Sequence, residues 1–339
     1  MNTRKILHSR YLLSTQWSSA HPGALIRVEF DDTTLGPCVG YADIHPWPEF
    51  GDPDLDTQLS ALAGFKRDHS LDALPVIARR SLGFALVDGR ARAQRVSLFA
   101  GLPVPESHFL VTHLESLTPD LIRHAASQGF KTFKIKAGKN PAREIKFLSQ
   151  LTPTLAGLAL KLRIDFNAQL TPGALTEFID CLDASKTLSL IDYLEDPTSY
   201  DPIFWGELRR SRGLRLAADL CLSDDFLIEN APPAFDVLVL KPAIQELKPW
   251  AQWARTNSLG VTVTSYLDHP VGILHAAREA ALLTSDFSVE SCGLLSHLTQ
   301  TPTEFSAAIK NNGPRLLTCE DDYGIGFERE LSSTEWISC

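Results

Sequence analysis

The sequence predicts an α/β protein: a modified TIM barrel of (β/α)7β form, with an α+β capping domain. Three observations predict it. From residue 108 onward, short apolar runs alternate with segments of helical spacing. Eight such runs and seven intervening helices fit between residues 108 and 291. Residues 1–105 lack that alternation. Alternating β and α segments with short connections form a parallel sheet, and eight strands favour closure into a barrel. The expected division is a capping domain over residues 1–105, completed by residues 300–339, and a barrel over residues 106–299.

Residues 1–28 carry Arg4, Lys5, Arg10 and Arg27 and no acid. His8 and Arg10 interrupt any apolar signal core, so this segment reads as a first strand or hairpin. Ala24–Phe30 and Pro37–Ile44 read as strands, and Leu55–Phe65 and Pro75–Ala91 as helices. The barrel opens with a strand over His108–Leu114. Thr118-Pro119-Asp120 then supplies a cap, a first-turn proline and an acid for a helix to Gln128. Further strands are expected at Thr132–Ala137, Leu160–Phe166, Leu190–Leu194, Leu214–Ala218, Asp236–Leu240, Gly260–Ser265 and Phe287–Ser291. The helices between them are Asn140–Leu155, Thr171–Leu182, Pro202–Arg210, a weak piece from Ser223, Glu246–Thr256 and Pro270–Leu283. Most of these strands are apolar on both faces, as a sheet covered by helices requires. The tail after residue 300 reads as irregular and polar, long enough to return to the first domain.

Composition excludes several classes. Lys plus Arg total 32 against 41 Asp plus Glu, a net charge of −9. Such a chain lacks the basic footprint that nucleic acid needs and the Lys/Arg clusters that hold proteins to anionic lipid. No apolar run approaches the ~20 residues of a spanning helix. The six cysteines, Cys38, Cys181, Cys221, Cys292, Cys319 and Cys339, form no C-x-x-C pair and no zinc pattern. Free, scattered thiols point to the cytoplasm. His269 and His275 are six apart and do not reproduce a zinc-helix spacing. Gly324-Ile325-Gly326 follows no strand, which excludes a nucleotide loop, and no G-x-S-x-G elbow is present.

In a barrel of this kind the site lies at the carboxyl ends of the strands. Asp165, Glu195 and Asp219 fall at three successive strand ends, 30 and 24 residues apart. Three converging carboxylates repel and raise one another's pKa values. A hard divalent cation resolves this, and an all-oxygen set suits Mg²⁺, with Mn²⁺ as substitute. Lys134 and Lys136 share one face of the second strand. Lys241 ends the sixth, four positions away in a ring of eight, so Lys136 and Lys241 are expected to flank a substrate. A lysine beside a cation, partly buried, has a lowered pKa and serves as a base near neutral pH. This arrangement suits proton abstraction next to a carboxylate, so the expected partner is a small-molecule carboxylate; oligomeric partners are not legible in the sequence.

The pattern Lys-x-Lys, Asp, Glu, Asp, Lys over five successive strands resembles the muconate-lactonizing subgroup of the enolase superfamily. Phe133-Lys134-Ile135-Lys136, Glu195-Asp196-Pro197 and Leu240-Lys241-Pro242 match its motifs. Gly40-Tyr41-Ala42-Asp43-Ile44-His45-Pro46 resembles its Gly-Trp-Gly-Glu segment, and Tyr323–Phe327 its glycine-containing tail. The resemblance implies Mg²⁺ on Asp165, Glu195 and Asp219, and a lyase that dehydrates 2-succinyl-6-hydroxy-2,4-cyclohexadiene-1-carboxylate for menaquinone synthesis. It implies that Lys136 takes the α-proton and returns it to the departing hydroxyl. Lys241 is then a cation over the ring, and Lys134 keeps Lys136 deprotonated. Arg163, Asn167, Ser265 and Gly293 are implied as substrate contacts. The chain departs from the pattern at Leu220, where relatives carry an acid, and within Gly40–Asp43. Two alternatives stay open: a dipeptide or N-acylamino acid epimerase of the same superfamily, and a barrel without catalysis.

Overall fold

The computed structural model describes residues 2–15, 20–68, 70–223, 225–228, 232–318 and 322–339, so the expected free thiol at Cys319 lies outside the described residues. The chain begins with an antiparallel sheet of β1 (Asn2–Leu13), β2 (His21–Asp32) and β3 (Gly36–Ile44), bearing out the first-strand reading. Helices α1 (Leu55–Asp68) and α2 (Val76–Gln94) follow. A Cβ on Gly40 would stand 1.8 Å from the Ala85 carbonyl oxygen, so only glycine lets α2 pack this closely on β3.

The parallel sheet runs in chain order through β4 (Phe109–Val111), β5 (Thr132–Lys136), β6 (Lys161–Asp165), β7 (Ile191–Glu195), β8 (Leu216–Ala218), β9 (Val237–Leu240) and β10 (Gly260–Val263). Between them lie α3 (Pro119–Ser127), α4 (Pro141–Gly157), α5 (Pro172–Ala184), α6 (Pro202–Arg212), α7 (Asp225–Ile228) and α8 (Leu247–Thr256); α9 (Pro270–Thr284) follows β10. One local device starts α3, α4, α5 and α6. A side chain (Thr118, Asn140, Thr171, Asp201) accepts from a first-turn N–H, and proline follows it. The strand interiors are buried on both faces, β9 entirely so.

The eighth position differs from expectation. Phe287–Ser291 is not a regular strand. Phe287 instead packs beneath the Arg255 guanidinium, 4.2 Å from the ring centre. Closure comes slightly later, through bridges from Cys292 to Ser107 and from Gly293 to Thr264. The backbone bonds His108 N to Cys292 O and Gly293 N to Val263 O complete it. The apolar run Phe-Ser-Val set the expectation too early. The tail is also more ordered than expected: α10 (Glu304–Ala308), a β11–β12 hairpin (Lys310–Asn312, Arg315–Leu317), α11 (Glu328–Ser333) and β13 (Ile337–Ser338). β13 returns to pair with β1, Leu7 opposite Ser338. Among the described residues no helix is long and apolar enough to cross a membrane.

Candidate active site

Strand register builds the site. Lys136, Asp165 and Glu195 lie opposite one another across β5, β6 and β7, so their side chains leave the sheet on one side. A cavity of about 430 Å³ opens there, of the size that small ligands occupy. Lys134, Lys136, Asp165, Asn167, Asp219, Lys241, Ser265 and Gly293 all line it. Glu195 sits just behind, fully buried.

Lys134 is the buried hinge of this charge cluster. Its Nζ lies 2.6 Å from Glu195 Oε1 and 3.2 Å from Asp165 Oδ2. Burial opposes its charge, yet Asp165 and Glu195 outweigh burial and hold its pKa well above the ordinary lysine value. Lys136 behaves oppositely. Burial of its ammonium, aided by the charges of Lys134 and Lys241, lowers its pKa. Its Nζ donates to Asn167 Oδ1 at 3.2 Å, a neutral partner. Asp165 is also buried, but Lys134 and Lys136 keep its carboxyl below the usual range. Glu195 is pushed up to about 7 by burial, with Asp165 and Asp219 adding to the shift. Lys241 ion-pairs with Asp219, and its ammonium stands 5.6 Å from the centre of the Tyr266 ring.

The sequence reading gathers the three acids about one cation, whereas the structure pairs each with an ammonium. Among the described residues no three acids, imidazoles or thiols stand at ligand spacing. The reason is local: Lys134 draws Asp165 and Glu195, and Lys241 draws Asp219. The donor set still fits a hard divalent cation. It is all oxygen, it spans successive strand ends, and Glu195 Oε2 is buried with no hydrogen-bond partner.

Arg163 lies beneath the cavity, not in its wall. It is 2% exposed and stacks 4.5 Å from the Tyr193 ring centre. It donates to Asp192 (2.7 Å), Glu290 (3.3 Å) and the Ser291 carbonyl (2.5 Å). Its link to the cavity runs through the wall residue His108, whose Nδ1 is 3.4 Å from Nη1. Ser265 Oγ is paired with Ser296 Oγ at 2.7 Å. A side chain at Gly293 would strike Thr264 and His108.

Other lining residues escape the sequence. Trp47, Phe50 and Asp52 reach the mouth from the amino-terminal region. They are fastened there because Trp47 N–H and the Tyr266 hydroxyl both donate to Asp52 Oδ2, at 2.8 and 2.9 Å. Trp47 Nε1 also donates to the Tyr266 carbonyl at 2.8 Å. His108 was within reach of sequence reasoning, since it alternates with Leu110 and Thr112 on the inward face of the first barrel strand.

Comparison with known proteins agrees with this geometry. A family model for the O-succinylbenzoate synthase N-terminal domain matches residues 5–91. An o-succinylbenzoate synthase of Bdellovibrio bacteriovorus is 32% identical over 98% of both chains. Among solved structures, a mandelate racemase/muconate lactonizing enzyme from Roseiflexus sp. superposes with a TM-score of 0.78 at 20% identity, over 96% of this chain and 97% of that one. The L-Ala-D/L-Glu epimerase from Bacillus subtilis superposes with a TM-score of 0.76 at 19% identity, over 96% and 98%. These structural likenesses show the modified barrel with its capping domain.

Proposed function

This chain belongs to the o-succinylbenzoate synthase family of the enolase superfamily, and from that premise we propose the reaction and the roles of its residues. The protein is a hydro-lyase. The substrate proposed is 2-succinyl-6-hydroxy-2,4-cyclohexadiene-1-carboxylate, converted with loss of water to o-succinylbenzoate for menaquinone synthesis. The free thiols of Cys38, Cys181, Cys221 and Cys292 suit a reducing cytoplasm.

The observation that carries the reading is the unlike state of the two lysines on β5. Lys134 is locked between two acids, while Lys136 has a lowered pKa and a neutral partner in the cavity. Lys136 is the base: its Nζ takes the proton from the carbon bearing the carboxylate. It then returns that proton to the departing hydroxyl, so one C–H and one C–O bond break, water leaves and the ring becomes aromatic with no net redox change. Lys241 directly follows β9, four strands from β5, and is the proposed cation over the ring. Lys134 holds Asp165 and Glu195 in place and its charge depresses the pKa of Lys136. Asp165, Glu195 and Asp219 would hold Mg²⁺, or Mn²⁺ in its stead. Bound there, the ion supplies positive charge against the substrate carboxylate as the proton leaves. Asn167, Ser265 and Gly293 line the remainder. Arg163 stands behind the cavity-wall residue His108, 3.4 Å from its Nδ1.

Two opposed lysines also serve a two-base epimerase. A dipeptide substrate would need an acid for its ammonium group, and Glu290, on the last barrel segment, is already tied to Arg163 and Arg215. Incubating the purified protein with the cyclohexadiene substrate and Mg²⁺ tests the proposal. The diene absorbance should decay, and a persistent absorbance overturns it.

A further inference from the structure

Asp196, the residue after Glu195, reads in the sequence as a turn residue before Pro197. The structure gives it a different setting. It is 1% exposed, and its φ of +40° lies in the left-handed region that aspartate tolerates better than most residues. Its carboxylate accepts from the backbone N–H of Asp219 at 3.1 Å and of Leu220 at 2.9 Å. Its carbonyl accepts from Ala168 N at 2.7 Å, and its own N–H donates to Ala217 O at 3.0 Å. One residue therefore ties together the carboxyl-end segments of β6, β7 and β8, where Asp165 ends β6, Glu195 ends β7 and Asp219 follows β8. Among the described residues it enters no ion pair. A buried carboxylate without a cation is costly and persists where N–H groups converge on it. Here the two converging groups belong to Asp219 and its neighbour. Leu220 brings no polar side chain to this support, only its N–H.

We propose that Asp196 is a positioning residue that fixes the Asp219 backbone and thereby sets the strength of divalent-cation binding at the barrel mouth. The inference rests on the metal reading proposed above. A turn residue with a purely structural part alters stability alone. A clamp on a ligand's backbone alters metal affinity in protein that remains folded, and outer-shell supports of this kind act by about 10- to 100-fold.

The experiment is calorimetric titration of Mg²⁺ into the wild-type chain, Asp196→Ala and Asp196→Asn, with circular dichroism to confirm folding. Asp196→Ala should bind Mg²⁺ at least tenfold more weakly. Asp196→Asn keeps one accepting oxygen and should fall between it and wild type. Saturating Mg²⁺ should restore most of kcat in Asp196→Asn. A folded Asp196→Ala that binds within threefold of wild type overturns the clamp and leaves the metal reading standing. A wild-type chain that takes up no Mg²⁺ overturns both. Should both variants fail to fold, hydrogen exchange in the wild-type chain decides: the Asp219 and Leu220 amides should be slow, and exchange at open-chain rates refutes the clamp.

Discussion

At the floor of the barrel Arg163 and Arg215 face Asp192 and Glu290 in a closed ring of ion pairs: Arg163 to Asp192 at 2.7 Å and to Glu290 at 3.3 Å, Arg215 to Asp192 at 3.0 Å and to Glu290. Two residues along β6 from Arg163, on the same face, Asp165 opens a second charged layer built with lysines. The two layers both mix acids with bases and differ in what is left over. In the floor every partner is engaged by a planar guanidinium, which stays protonated under all working conditions. In the mouth Glu195 keeps an unpartnered oxygen and Lys136 hydrogen-bonds a neutral amide. A lysine's pKa moves readily with its surroundings. The floor is thus built to hold shape, whereas the proposed reaction asks the mouth to accept a cation and move a proton.

The sharpest way to break this comparison is to remove the mouth's movable proton. Lys136→Ala should lower kcat by about a thousandfold, in line with the loss of a general base. The melting temperature should stay near that of wild type, because the side chain makes one polar contact, with Asn167. Steady-state kinetics beside a thermal melt checks both halves. A variant with near-normal kcat removes Lys136 from the chemistry.

The converse change belongs to the floor. Arg163→Ala leaves Asp192 and Glu290 with one arginine where they had two, and breaking a buried pair of this kind costs about 3 kcal/mol. Urea unfolding should show that loss, while kcat of the folded fraction falls far less than in Lys136→Ala. If stability is unchanged and activity vanishes, Arg163 acts in the mouth, and the division into layers fails.

That outcome bears on what the sequence could reveal. Lys136, Asp165, Glu195 and Asp219 were legible because charged residues interrupt strands that are otherwise apolar, at spacings of one β/α unit. Arg163 shares their face, so alternation alone does not distinguish the layer that touches the cavity from the one beneath it. Asp192 and Arg215 sit at strand starts, where a charge looks like any solvated edge, and Glu290 lies in a segment that forms no regular strand. The pairing of Asp165 and Glu195 with Lys134 depends on side-chain reach, and period does not report it. Trp47 and Tyr266 are 219 positions apart, and no local pattern announces that they close one wall. The Phe287–Val289 run was apolar enough to pass for a strand, although the closing bridges needed Cys292 and Gly293.

The smallest test tunes the mouth without dismantling it. Lys136 must be unprotonated to act as base, so kcat/KM should rise with pH, tenfold per unit, until it levels at that lysine's pKa. The levelling point should lie below the ordinary 10.5, because burial of the ammonium, aided by Lys134 and Lys241, favours the neutral amine. Asn167→Asp places a carboxylate where Lys136 now donates to an amide oxygen. The backbone there is left-handed, φ +46°, which aspartate accepts nearly as well as asparagine. A nearby negative charge favours the ammonium, so the rising limb should move to higher pH, by up to about one unit. At a fixed pH below the limb the variant is then slower by up to about tenfold, and it recovers as pH rises. A limb that stays in place would mean the titrating group does not face Asn167, and the proton would have to be sought on another residue of the cavity wall.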